Sequence, residues 1–132
     1  MQKYRNSKSK LDGRVFDSRA EMERYQELTY LEKKGDIRDL VLQPVFLIQE
    51  GFSATKNGKN LRVRGVTYRA DYSYYIGDKL IIEDMKGFET PVFKIKKKFI
   101  IKNYREAIYL ITGRKNGETI IKEKWNDSER KD

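Results

Sequence analysis

The chain has 132 residues, 29 basic against 20 acidic, giving a formal charge of +9, with 38% hydrophobic and 37% charged residues. That length holds one thinly cored domain, and no apolar run approaches a bilayer span. There is no cysteine or histidine, which excludes disulfides, thiolate nucleophiles, histidine general bases, HNH-type nucleases and zinc held by Cys or His; any catalysis must rest on carboxylates, Lys, Tyr, Ser or Thr, and any metal on oxygen ligands.

The positive balance favours a polyanionic partner, nucleic acid before a membrane surface, because the candidate helix needs its apolar face for the core. The polar, basic N-terminus lacks the apolar region of a signal peptide, so a cytoplasmic location is expected. Residues 1–11 read as a flexible basic arm, either solubilising or a clamp on a nucleic-acid backbone, residues 12–125 as the domain and residues 126–132 as a frayed tail.

Ser18 followed by Glu21 fits a capping box, Met22, Tyr25, Leu28 and Leu31 recur every three residues, and Gly35 offers a stop; the spacing predicts a helix over Arg19–Lys34. From Ile37 to Gln49 the chain is mostly apolar, and Pro44 should divide it into two short segments or an edge strand. Gln43, just before the break, reads as a polar strand end, with a substrate-facing role as the other reading. Glu50–Asn60 reads as a mobile hairpin or loop, after which Leu61–Arg64 begins a strand. Arg62 and Arg64 share a face there, as ordinary exposed charges or as phosphate contacts.

Two runs rich in aromatic and β-branched residues, Thr67–Ile76 and Lys79–Lys86, flank Gly77-Asp78, and together they predict a β-hairpin. If the turn sets the register, opposed positions sum to 155, so Ile76 faces Lys79 and Asp71 faces Asp84. Like charges so placed destabilise a sheet unless something compensates. Lys86 lies on the same face as both acids, since side chains alternate with a period of two. Glu83 points the other way, and a one-residue slip would exchange it with Asp84. Two carboxylates and an ammonium on one face form a seat for a divalent cation.

Beyond the hairpin, Thr90 and Pro91 open a second helix to about Asn103, with Lys94, Lys98 and Lys102 in one stripe and Ile95 and Phe99 as the buried side. A lysine stripe is ordinarily a solvated face; its start beside Lys86 makes a phosphate contact by Lys94 and Lys98 the competing reading. Ala107–Thr112 is strand-like, with helix as an alternative for this part, and Asn116-Gly117 is a type I′ signal before Glu118–Lys124. Trp125 should cover a sheet edge or a core opening.

Ala70-Asp71 with Asp84-Met85-Lys86, set among Phe16-Asp17-Ser18, Glu21, Leu42-Gln43-Pro44, Tyr68 to Tyr72, Lys86-Gly87-Phe88, Phe93-Lys94 and Lys96 to Lys98, resembles the PD-(D/E)XK superfamily of restriction-endonuclease-like nucleases. The resemblance covers roughly Phe16 to Phe99 and is to a small phage and prophage branch catalogued as a domain of unknown function. Ala70 stands where the nominal pattern has proline. The resemblance implies an α/β, α+β-like fold, a central mixed sheet with a hairpin core flanked by helices. It further implies Mg²⁺- or Mn²⁺-dependent hydrolysis of branched or duplex DNA in phage recombination or processing, structure-selective or weakly sequence-selective. Asp71 and Asp84 would be metal ligands with the Met85 backbone carbonyl, and Lys86 the catalytic ammonium. Glu21 would be a ligand or water-mediated contact, a role its place in the capping box leaves open. Lys94, Lys98, Arg62 and Arg64 would contact nucleic acid. A homodimer would serve symmetric cutting of two strands; a catalytically silent DNA-binding module of the same fold is the alternative, and a protein-binding domain with incidental charge a second.

Overall fold

Local signals account for both helices of the computed structural model, which describes residues 9–11 and 14–126. Strands β1 (Ser9–Leu11) and β2 (Arg14–Phe16) form a small antiparallel hairpin. The end of the expected arm is thus paired backbone, and residues 1–8 lie outside the described residues. Helix α1 spans Arg19–Lys34: Ser18 Oγ accepts from the Glu21 amide at 3.2 Å, and Gly35, at φ 87°, ends it in the left-handed conformation a glycine adopts without steric cost.

Pro44 separates β3 (Arg38–Leu42) from β4 (Val45–Gln49). The expected loop beyond is ordered: β5 (Phe52–Lys56) and β6 (Lys59–Val63) pair across Asn57-Gly58, both at positive φ as a type I′ turn requires. Strand β7 (Val66–Arg69) then returns to pair with β4, so 45–69 is a nested antiparallel ribbon. This corrects the long hairpin expected from Thr67. Its first arm breaks at Ala70-Asp71, because Thr67–Arg69 take β4 as their partner, and only β8 (Tyr72–Ile76) pairs with β9 (Lys79–Met85). The register is the expected one, Ile76 opposite Lys79 and Tyr72 opposite Glu83.

Helix α2 (Pro91–Asn103) is capped by Thr90 Oγ1, which accepts from the Phe93 amide at 3.0 Å. It connects β9 to its parallel neighbour β10 (Ile108–Lys115), and β11 (Glu118–Trp125) closes the sheet as a hairpin with both turn residues, Asn116 and Gly117, at positive φ. The fold is α+β, a mixed five-stranded sheet in the order β11-β10-β9-β8-β3 with two helices. No helix among the described residues is long and apolar enough to cross a membrane.

Alternation along the central strands sends side chains to two cores. Tyr72, Tyr74, Ile81 and Leu110 pack with Leu28 of α1, whereas Ile82, Tyr109 and Ile111 pack with Phe93 and Ile100 of α2. The buried side of α2 is therefore Phe93 and Ile100, not the expected Ile95 and Phe99, which are 58% and 38% exposed. Apolar residues occupy several faces of this helix, and the stripe that also carries Lys97, tied to Glu89 and Glu123 at 2.9 and 3.0 Å, is the one turned inward. Asn126, expected to begin the tail, is buried; its amide donates to the carbonyls of Ile101 and Tyr104 and so caps the end of α2. Residues 127–132 lie outside the described residues. Trp125 ends edge strand β11, half-exposed beside Lys97.

Candidate functional site

Where β7 gives way to β8, the chain turns at Asp71, directly opposite the end of β9. Each aspartate carboxylate holds a backbone amide of the other segment: the Asp71 amide donates to Asp84 Oδ1 at 3.0 Å, and the amide of Met85, next to Asp84, donates to Asp71 Oδ2 at 2.7 Å. Gln43 helps to hold the turn, its left-handed backbone (φ 56°) placing its N–H 2.8 Å from the Asp71 carbonyl. Asp84 is 0% exposed, and its Oδ2 accepts from the hydroxyls of Tyr109 at 2.6 Å and Tyr68 at 2.9 Å. Four strands thus converge on this carboxylate: β9 carries it, β10 and β7 each supply a phenol, and the entry to β8 supplies an amide.

The electrostatics follow from burial. Desolvation, then the charge of Asp84, then that of Glu21, push the Asp71 carboxyl up to about 8. Burial also raises Asp84, against the pull of Lys86 and its phenol partners. Tyr68 and Tyr109 are raised well above an ordinary phenol, first by burial and then by the charge of Asp84, so both remain hydrogen-bond donors. Lys86 leaves the sheet just past β9; its amide donates to the Thr112 carbonyl at 2.9 Å, and its ammonium sits 4.6 Å from the centre of the Phe93 ring in the first turn of α2. That ammonium makes no ion pair among the described residues.

Glu21 joins this group. Its amide serves the helix cap and its carbonyl accepts from the Tyr72 hydroxyl, but its carboxylate takes no hydrogen bond among the described residues, so the reciprocal half of the capping box is not made. Burial first, then Asp17 and Asp84, raise its pKa, and Lys86 opposes them. The structure therefore brings Glu21, Asp71, Asp84 and Lys86 together. Lys94 and Lys98 are exposed on α2, the first of them adjoining Phe93. Arg62 and Arg64 stand apart, on the ribbon.

Glu83, the neighbour that a register slip would have substituted for Asp84, faces α1 and is spoken for. It is 0% exposed, paired with Arg24 through two bonds of 2.7 and 2.9 Å, and bonded by the hydroxyls of Tyr74 at 2.7 Å and Thr112 at 3.1 Å. Arg24 continues to Glu27, which Arg114 also holds, so the acids and bases under α1 neutralise one another. One acid of the adjacent pair is thus neutralised by an arginine, and the other is buried beside Asp71.

A family model described as Protein of unknown function (DUF1064) matches residues 1–117. The chain belongs to that family. The DUF1064 match takes in Glu21, both aspartates, Lys86 and all of α2, and ends in the β10–β11 turn. No curated protein and no solved structure matches the chain.

The donor set of this DUF1064 chain suits a hard divalent cation. Both aspartates offer oxygen, Asp71 Oδ1 takes no hydrogen bond from any described residue, and Asp84 and Glu21 set further acidic groups beside Asp71 whose charge a cation would compensate. Among the described residues no three acidic side chains converge closely enough to chelate an ion by themselves. Two carboxylates would therefore hold it, with backbone oxygen such as the Met85 carbonyl, or water, completing the sphere. Sequence reasoning missed Tyr68 and Tyr109 as the partners of Asp84. Their signal was a tyrosine in a strand flanking a buried acid, readable for Tyr68, which lies close by, and unreadable for Tyr109 until β10 is known to lie beside β9.

Proposed function

We propose that this chain is a metal-dependent nuclease of the PD-(D/E)XK type that hydrolyses phosphodiester bonds in DNA. The observation that carries the proposal is the pair of carboxylate–amide bonds that hold Asp71 against the Asp84-Met85 segment, beside a Lys86 that makes no ion pair among the described residues, in a chain of charge +9. Asp71 and Asp84, with the Met85 carbonyl, would hold Mg²⁺ or Mn²⁺. When bound, the ion supplies Lewis-acid polarisation of the scissile phosphate and lowers the pKa of a coordinated water.

The protein's own groups do the rest. The three hydrogen bonds on Asp84 fix its carboxylate, so little reorganisation is needed when charge develops nearby. The Lys86 ammonium, held against the Phe93 ring, orients the attacking water or stabilises negative charge on the phosphate. Glu21, close enough to feel the charge of Lys86, would accept a hydrogen bond from that water. Lys94 and Lys98 on α2, with Arg62 and Arg64 on the ribbon, would contact the phosphates of a bound strand. Cutting both strands of a duplex symmetrically would take a homodimer, one site per strand. The reading places the protein in the host cytoplasm, in phage DNA recombination or processing, with structure-selective or weakly selective cleavage.

The second reading, a catalytically silent DNA-binding module, is favoured by one observation, the lack of a third converging carboxylate among the described residues. A panel of linear, flapped and branched DNA, titrated with Mg²⁺ or Mn²⁺, separates the two. Metal-dependent cleavage that disappears in Asp84→Ala and Lys86→Ala while DNA binding persists supports the enzyme. Cleavage unchanged in both variants means a contaminant and defeats it, and binding without cleavage of any substrate selects the silent module.

A further inference from the structure

We propose that the β5–β6 ribbon is a reader of duplex DNA that enters the major groove. The proposal rests on the reading above for DNA as the partner and goes beyond it in naming the form of the DNA and the element that grips it.

Every residue of β5 and β6 is exposed. A lone two-stranded hairpin is at best marginally stable in water, so this one contributes nothing to the core and needs another reason to be there. Its composition supplies one. Between Gly51 and Ala70 the chain carries Lys56, Lys59, Arg62, Arg64 and Arg69 and no acid, and none of these five forms an ion pair among the described residues. Lys56 and Lys59 lie directly opposite each other at the tip. Like charges facing across a ladder cost stability, a cost that a polyanion would remove.

The register sorts the remaining side chains. Ser53 faces Arg62 and Thr55 faces Asn60, which makes one surface of hydrogen-bonding groups of the kinds that pair with base edges and phosphates. The other surface carries Phe52, Leu61 and Val63, with Lys56 and Lys59 at its tip, where long side chains can reach the phosphates that border a groove. Five residues per strand reach roughly 17 Å, and a two-stranded ribbon fits the roughly 12 Å wide major groove of B-form DNA. The deep, narrow major groove of A-form RNA does not admit side chains in this way.

The ribbon is also joined to the acidic cluster. Where its outer half meets its inner half, Gly51 and Gly65 approach so closely that a Cβ on Gly65 would lie 2.8 Å from the Gln49 carbonyl and one on Gly51 2.9 Å from that of Val63. Side chains are thus barred at the junction that aims the outer half. At the base, Tyr68 of β7 bonds Asp84. A duplex held by the ribbon is consequently tethered to the strand that borders the cluster.

The test is fluorescence anisotropy with the full chain in EDTA, where hydrolysis plays no part, on a short DNA duplex and an RNA duplex of the same sequence across a salt series. The double variants are Lys56→Ala/Lys59→Ala and Ser53→Ala/Arg62→Ala. All four positions are exposed, and circular dichroism melts confirm the fold. Each variant should weaken DNA binding at least tenfold, and loss of the two lysines should flatten the slope of log Kd against log salt by about 2, near 0.9 per phosphate contact. DNA should bind more tightly than RNA. Wild-type affinity and slope in both variants, or RNA bound as tightly as DNA, would overturn the proposal. Ribbon-dependent binding without cleavage would sink only the nuclease reading; cleavage with ribbon-independent binding would sink only this one.

Discussion

Glu83 and Asp84 are adjacent, both fully buried, and should fail in opposite ways. Arg24→Met leaves the Glu83 carboxylate with only the Tyr74 and Thr112 hydroxyls, in a place with no access to water. Stranding one member of a buried ion pair costs about 3–5 kcal/mol, which for a domain of this size lowers the melting temperature by roughly 10–20 °C. Pairing the change with Glu83→Leu should recover much of the loss, because an apolar pair of similar volume needs no compensation. Asp84→Asn removes a like charge from beside Asp71 and keeps an oxygen for the Asp71 amide, but puts an amide nitrogen where Oδ2 accepted from the Tyr68 and Tyr109 hydroxyls; the two effects offset, so in chelator it should melt well above Arg24→Met. Differential scanning fluorimetry, run with EDTA and with Mn²⁺, reads both effects. Mn²⁺ should raise the melting temperature of the wild type and of Arg24→Met but not of Asp84→Asn. The division of labour between the two acids is refuted if Arg24→Met melts within about 2 °C of wild type, well under the shift expected for 1 kcal/mol, or if Asp84→Asn retains the Mn²⁺ response.

Two further outcomes follow from the same site. Because the folded-state pKa of Asp71 is raised from 3.8 to about 8, the folded protein binds more protons than the unfolded chain between those values, and stability falls as pH rises through that window. In chelator the melting temperature should decline between about pH 5 and about pH 8, and Asp71→Asn should flatten the decline; a profile that instead rises in the wild type contradicts the assigned shift. Tyr109→Phe deletes the 2.6 Å bond to Asp84, a hydrogen bond to a charged group worth about 1.5–3 kcal/mol. Chemical denaturation should report that loss, and an unchanged midpoint would mean that Tyr109 does not hold the carboxylate.

What could be read from the residues was what local chemistry decides. Both helices begin where Ser18, Thr90 and Pro91 place the caps, α1 ends at Gly35, and Gly77-Asp78 set the register of β8 on β9, which brings Asp71, just before β8, beside Asp84. The hidden part was set by partners far along the chain. Nothing near Thr67 announces that β7 pairs with β4 rather than with β9, since the strand text runs unbroken through Tyr68 and Arg69 into Tyr72. The same holds for Glu83, whose partner Arg24 is 59 positions away; alternation showed that it points away from Asp84 but not what awaits it. On α2, Ile95 and Phe99 were as apolar as Phe93 and Ile100, and only the placement of the helix on the sheet chose between them.

Isothermal titration of Mn²⁺ into the metal-free chain at neutral pH tests the central claim most directly. The account predicts saturable binding in the wild type and none in Asp71→Asn or Asp84→Asn, with both variants folded by circular dichroism. A wild type that takes up no Mn²⁺, or variants that bind it as well as the wild type does, would contradict a metal site at the two aspartates.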